Sequence, residues 1–379
     1  MATLQRDIPF DAKMCTGCFK MCRFVCPTAI ATKNESITPY GRSSAYHLAS
    51  INKIKYSPKA VESIYQCATC GLCKTWCKPE VDVANIVERA RKDIVGEGLA
   101  PKNITRLLEI TQKNSNPYGE PNSKRFSKIR NGANKKDGKS EILYFVGCTT
   151  AYRHPEIADA IMKVLTIMGE DFTVLADSEK CCGSPLIRLG LEDASKELLA
   201  HNSEAINNLN CKMVVTGCPG CHRTLKEDYP RLGYKLDAEV MHFTEYLDSS
   251  GKGTPKVELS KRLTYHDPCH LGRHSNIIDQ PRNIIQQIKG VRLIEMEWNR
   301  KNSNCCGSGG GLRVSYPSIA EKLGTRRLDE AYATGAEMIA TACPFCKDHL
   351  IEVQNARMED PRRITVVDLA EILTGATPK

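Results

Sequence analysis

Eighteen of the nineteen cysteines in this 379-residue chain fall into two kinds of cluster, and both kinds are spaced to hold iron and sulfur. Cys67, Cys70, Cys73 and Cys77 have the spacing Cys-x2-Cys-x2-Cys-x3-Cys. With that spacing three thiolates from one tight loop reach one face of a cubane [4Fe-4S] cluster and the fourth reaches a second cluster. Cys15, Cys18, Cys22 and Cys26, followed by Pro27, repeat the pattern with an extra residue between the second and third cysteines. A backbone bulge around residues 19–21 would absorb it. Pro79 likewise stands one residue later than usual. The expected sets are Cys15, Cys18 and Cys22 with Cys77, and Cys67, Cys70 and Cys73 with Cys26. A zinc ribbon also uses Cys-x2-Cys pairs, but eight cysteines in two tetrads exceed what one structural zinc needs.

The second kind of cluster occurs twice, each time as Cys, Cys-Cys-Gly, then Cys-Pro-x-Cys. The members are Cys148, Cys181, Cys182, Cys218 and Cys221, then Cys269, Cys305, Cys306, Cys343 and Cys346. The landmarks correspond at offsets of 121 to 125 residues, which marks an internal repeat. A cubane takes four protein ligands, so five thiolates imply an unusual cluster or a site where one sulfur bridges two irons. Adjacent cysteines suit this because consecutive side chains diverge, with Gly183 relieving the backbone. Cys211 is left over and reads as a small buried residue before a strand.

These groups need elements to carry them. The residues between the two tetrads lack strand alternation and read as a helical insert, and helix continues up to Glu109. Asn114, Ser115, Asn116, Pro117, Gly119 and Pro121 then mark a polar linker over 111–140. Beyond it, β-rich runs alternate with amphipathic helices, the rhythm of α/β units on a mostly parallel sheet. Strands are predicted at Ile142–Val146, Phe172–Leu175 and Met213–Thr216, with helices at Pro155–Met168 and Glu192–Leu209. The pattern restarts with strands at Leu263–His266, Arg292–Met296 and Met338–Thr341 and helices at Pro281–Ile288 and Ser318–Thr334. His222, beside Cys221, could suggest zinc but reads as the start of a short helix over Arg223–Asp228.

Composition excludes several classes. The chain is too long for a disulfide-stapled mini-protein, and its longest apolar run, Ile142–Cys148, falls far short of the roughly 18 residues of a membrane span. Met1–Phe10 does not read as a secretory signal, so a cytoplasmic location is expected, where an odd number of cysteines argues for metal chemistry over disulfides. The formal charge of +9 omits the negative charge of bound clusters. The basic run Lys124, Arg125, Lys128, Arg130, Lys135, Lys136 and Lys139 has only Phe126 for stacking and reads as a solvated linker, so no nucleic-acid partner is expected.

On its cysteines, the N-terminal part resembles the helical two-cluster ferredoxin domain of succinate dehydrogenase iron–sulfur subunits. The duplicated motif resembles the CCG domain of the heterodisulfide reductase family, and the fusion of the two resembles its D-type catalytic subunit. Iron–sulfur subunits of anaerobic glycerol-3-phosphate, glycolate and lactate dehydrogenases, and of sulfite-reduction electron-transfer complexes, share the architecture. The resemblance implies an α+β multidomain protein: a mainly helical ferredoxin domain over 1–110, the linker, and a duplicated α/β CCG domain over 141–255 and 256–379. It implies two cubane [4Fe-4S] clusters on the first eight cysteines and two noncubane [4Fe-4S] clusters on the ten that follow. The implied reaction is two-electron reduction of a mixed disulfide of two thiol cofactors, bound between the noncubane clusters. The competing expectation is an electron-transfer subunit linking a flavoprotein dehydrogenase or reductase to a quinone-linked membrane protein.

No flavin or nicotinamide motif stands out, so electrons must come from another protein. A membrane cytochrome b-type subunit or a soluble flavoprotein is the expected donor, the former tying the chain to a membrane through its partner. His266 and His270 flank Cys269, and His154 and His274 follow the first cysteine of each copy. Imidazoles so placed could hydrogen-bond cluster sulfur, protonate a leaving thiolate, or be structural; His270 and His274 are the best placed. Arg153 and Arg273 occupy matching places and could meet acidic groups of a substrate. Ser308-Gly309-Gly310-Gly311 lacks the residues of a phosphate loop and is expected to pack closely on a cluster.

Overall fold

Proline opens several helices of the N-terminal domain. In the computed structural model, which describes residues 7–129 and 140–375, the helices Pro27–Thr32, Pro39–Ser50 and Pro58–Tyr65 all begin on one. Proline's fixed φ suits the first helical position, where no N–H is needed. Thr38 and Ser57 cap two of these helices by accepting from the backbone N–H groups of Gly41 and Ala60. Val83–Gly96 buries Val83, Ile86, Val87, Ala90 and Ile94, the spacing of one helix face. That face packs with Ala12, Tyr46, Ile64, Tyr65 and Ile104 into an apolar core continuous with that of the next domain. The extra residue between Cys18 and Cys22 is absorbed at Lys20, which takes a left-handed φ of 63° and opens a 3₁₀ turn over Met21–Phe24.

The remainder is two parallel four-stranded sheets of one topology. Strands β1 (Ile142–Tyr144), β2 (Phe172–Thr173), β3 (Met213–Thr216) and β4 (Glu239–His242) lie in the order β2-β1-β3-β4. Strands β5 (Arg262–His266), β6 (Arg292–Leu293), β7 (Met338–Thr341) and β8 (Thr365–Asp368) repeat it as β6-β5-β7-β8. The central strands are buried on both faces, which is why they read as unbroken apolar runs. In each sheet the chain leaves the two central strands toward opposite edges. Their carboxyl ends therefore flank a crevice, the usual ligand position in such sheets.

Several expected elements shift in extent. β1, β2 and β6 are shorter than predicted, because the backbone leaves the ladder early to present the loops beyond. The fourth strands, β4 and β8, were not anticipated. Each runs into a short helix, Phe243–Ser249 or Leu369–Ile372, through a capping box, so the repeat extends beyond the cysteines. The helix expected at Arg223 starts at Pro219 and continues as a π-turn over Thr224–Asp228, which puts His222 inside it.

The solvated-linker expectation needs correction. Helix Lys102–Asn114 runs into the polar stretch, and Asn116 and Arg125 are fully buried. Asn116 Nδ2 ties the turn by donating to the carbonyls of Asn114 and Glu120. Arg130, Lys135, Lys136 and Lys139 lie outside the described residues.

Candidate active site

The first eight cysteines line two small adjoining cavities. Cys15, Cys18, Cys22 and Cys77 line one, with Cys73 at its border; Cys26, Cys67, Cys70 and Cys73 line the other. Cys26 stands at the N-cap of helix Pro27–Thr32. Buried Arg42 reaches its sulfur at 3.7 Å while donating to Thr28 Oγ1 and the carbonyls of Ser63 and Gln66. Burial, then the charges of Cys15, Cys26, Cys77 and Cys18, push the Cys22 thiol up to about 12. Four sulfurs crowded in this way call for a cation among them, so this donor set fits an iron–sulfur cluster.

In the duplicated half, the first and last cysteine loops of each copy spring from the carboxyl ends of the central strands, and the Cys-Cys-Gly loop follows the edge strand β2 or β6. Cys148 follows β1 and Cys218 follows β3; Cys269 and Cys343 follow β5 and β7. Cys218 and Cys343 cap the helices Pro219–Arg223 and Pro344–Ala356, and Cys343 Sγ accepts from the N–H of Cys346. After each Cys-Cys pair the glycine is left-handed, with φ 90° at Gly183 and 95° at Gly307. A Cβ at Gly307 would lie 2.4 Å from the Ala320 carbonyl oxygen, so only glycine fits that turn.

In each copy neighbouring sulfurs crowd the second cysteine of the pair. Hydrogen bonds from Cys181 and Cys221 hold the Cys182 thiol down to about 6. Cys305 and Cys346 do the same to Cys306, which lies 3.3 Å from Cys346 and is held well below the ordinary range. All the cysteines are free of disulfides.

Both sets open onto one cavity of about 220 Å³ between the copies. Nine of the ten motif cysteines line it, all except Cys305, together with His270, Tyr118, Leu107, Val314, Phe345 and the glycines 309–311. Cys305 instead hydrogen-bonds Cys70, so the second copy's sulfurs abut the helical domain's second cavity. The glycine loop packs there too: a Cβ on Gly310 would lie 2.6 Å from the carbonyl carbon of Ala68.

The histidines and arginines separate by position. His270 lines the cavity, and its Nδ1 is buried with no hydrogen-bond partner. His274 lies outside the lining, with Nε2 on the Thr69 carbonyl at 2.9 Å. Arg273 is likewise largely committed to the protein, donating to the carbonyls of Cys70, Lys301 and Ser303, with its buried Nη2 left unpartnered. Arg153 stacks on Tyr118 and faces Glu120 at 3.6 Å. His154 bridges Glu156 and Asp348 away from the cavity, and His222 packs against Ser275. Cys211 is buried in the core of the first sheet.

Comparison with known proteins agrees with this geometry. A cysteine-rich domain model matches residues 142–226 and 263–351, and a 4Fe-4S dicluster domain model matches 11–81. The chain is 35% identical, over 323 residues, to the D-type subunit of dihydromethanophenazine:CoB--CoM heterodisulfide reductase of Methanosarcina barkeri, covering 83% of this chain and 78% of that one. The chain belongs to the D-type family of heterodisulfide reductase subunits. It is an iron–sulfur oxidoreductase. The B-type subunit of fumarate reductase (CoM/CoB) of Methanothermobacter marburgensis is 31% identical over 377 residues, covering 96% of this chain and 73% of that one. EtfAB:quinone oxidoreductase of Syntrophomonas wolfei is 32% identical over 343 residues, covering 85% of this chain and 47% of that one. A solved structure of a hypothetical protein from Helicobacter pylori matches with a TM-score of 0.57 at 10% identity, over 97% of this chain and 73% of that one, a likeness of fold alone.

For this heterodisulfide reductase relative, what the cysteine motifs did not announce is the set of buried cations around them. Arg125 donates to Cys148 Sγ at 3.5 and 3.6 Å and to Glu179 at 2.5 Å. Glu179 also accepts from the N–H groups of Val146 and Gly147, fixing the loop that carries Cys148. Arg91 donates to the carbonyls of Ile64, Tyr65, Cys67, Arg188 and Gly310, which come from all three parts of the molecule.

Proposed function

We propose that the chain is the catalytic subunit of a disulfide reductase and cleaves a small-molecule mixed disulfide in the cavity between its two copies. The balance is RSSR′ + 2e⁻ + 2H⁺ → RSH + R′SH, with the electrons supplied by a partner protein. The observation that carries this reading is one mainly apolar cavity walled by cysteines of both copies. A relay would need the two clusters that this cavity holds but not the apolar wall of Leu107, Val314 and Phe345 beside them.

Each five-cysteine set is assigned a noncubane [4Fe-4S] cluster, and the first eight cysteines two cubane ones; when bound, these groups supply one electron from either wall. The protein's own side chains do the rest. Leu107, Val314 and Phe345 shed water and seat the S–S bond with its flanking carbons. His270 is assigned to hydrogen-bond a thiolate formed at the wall, and His274 to position the loop of Cys70 through Thr69. Cys18, exposed beside Phe19, marks the end open to an electron donor, a membrane cytochrome b-type subunit or a soluble flavoprotein. Among the described residues no helix is long and apolar enough to cross a membrane; membrane association is assigned to that partner.

The second reading, an electron-transfer subunit serving a quinone-linked protein, is favoured by the likeness to EtfAB:quinone oxidoreductase. The two part in an assay of thiol release from a mixed disulfide with a reduced dye. Disulfide reduction predicts both thiols in equal amounts, with at least about a hundredfold loss in Cys182→Ala and in Cys306→Ala while the cubane spectra persist. Fully loaded wild-type protein that releases no thiol would favour the relay.

A further inference from the structure

The two cysteine sites match in topology and differ in the groups that touch their sulfurs. Three residues before the first cysteine of each motif, the first copy has Phe145 and the second has His266, and both are buried. The His266 ring is fixed from one side. Arg327 Nε donates to His266 Nδ1 at 2.9 Å, and Arg327 is itself held by Glu330 and the Trp298 carbonyl. A ring nitrogen that accepts carries no proton, so the neutral imidazole keeps its hydrogen on Nε2.

Nε2 is buried and has no hydrogen-bond partner. One ring nitrogen, Cys306 Sγ and Cys346 Sγ lie within 4.8 Å of one another, so the sulfurs of the second site adjoin the ring. Nε2 is also poorly suited to bind iron itself. That would move the hydrogen to Nδ1, where the Arg327 N–H already points.

We propose that His266 donates its Nε2–H to the sulfur of Cys306 and thereby sets the reduction potential of the second site independently of the first. This rests on the reading that both five-cysteine sites hold iron–sulfur clusters. An N–H on a cluster sulfur withdraws charge and favours the reduced, more negative state, which raises the potential. The first site has Phe145 at that place and takes its donor elsewhere, from Arg125 onto Cys148. The two sites are thus tuned through different sulfurs by different groups, a neutral imidazole and a guanidinium paired with Glu179. The second site is also the one joined to the helical domain, through Cys305 and Cys70.

The test is an anaerobic redox titration of the full chain, followed by electron paramagnetic resonance, with iron counted in every sample. His266→Phe makes the second copy match the first. We expect one five-cysteine signal to become harder to reduce, with its reduced-to-oxidised ratio at fixed potential falling about tenfold, ~59 mV for one electron. The other signals should stay in place. His266→Gln, which keeps an N–H at about the reach of Nε2, should restore most of the shift. Full iron with no shift in His266→Phe, or equal shifts in the Phe and Gln variants, overturns the proposal. If the Phe variant binds no iron in its second site, Arg327→Met carries the test: freeing the ring should lower the same midpoint, and an unmoved midpoint overturns the proposal. Wild-type protein without iron in its duplicated half would instead remove the reading beneath it.

Discussion

At the scale of single residues, the cysteines were legible because cluster chemistry demands both their type and their spacing, and nothing else in the chain imitates either. Arg125 was not. It stands in a basic run that reads as solvated, and its burial is decided by Glu179, 54 residues away in sequence. A lone sequence carries no sign of such a pairing. Both side chains are fully buried, so removing one strands the other, which typically costs about 3–5 kcal/mol. Arg125→Met should therefore lower the thermal unfolding midpoint clearly. Adding Glu179→Gln should recover much of the loss, because the stranded charge is gone. A double variant no better than the single one would show that Arg125 acts by packing alone.

At the scale of elements, the repeat and the central strands could be read because buried parallel strands are unbroken apolar runs. The fourth strands, β4 and β8, were invisible: four residues at a sheet edge, with Glu239 and Thr365 exposed, offer too few positions for a period to show. The glycine loop was legible only as a close approach. Its place emerges from the fold, where Gly310 has φ 60° and presses on the backbone of Cys67 and Ala68. Gly310→Ala should displace the segment that brings Cys70 to Cys305. We expect iron content near wild type with electron transfer between the two halves slowed at least about tenfold, read by rapid mixing with a reduced dye. Unchanged transfer would mean that the Cys70 to Cys305 contact does not depend on this loop.

At the scale of the molecule, the helical domain and the two copies were separable in the sequence, while their joint was not. One guanidinium makes it: Arg91 is wholly buried and donates to five carbonyls across the three parts. In a helix pattern an arginine reads as exposed, and only tertiary structure reveals five buried acceptors around it. Arg91→Met would leave those carbonyls without their donor, at about 1–3 kcal/mol for each one left unsatisfied. The expected result is a fall of at least about 5 °C in unfolding midpoint and new protease cleavage between the domains. Cleavage and midpoint equal to wild type would place the joint elsewhere, for example at the stacked Trp76 and Trp298.

The central claim is that both copies hold clusters facing one cavity, and the most direct measurement is iron, acid-labile sulfide and zinc per chain on protein purified without oxygen. Four four-iron clusters predict about 16 irons, matching sulfide and little zinc. About eight irons, with the duplicated cysteines free, or zinc in place of iron, would contradict it.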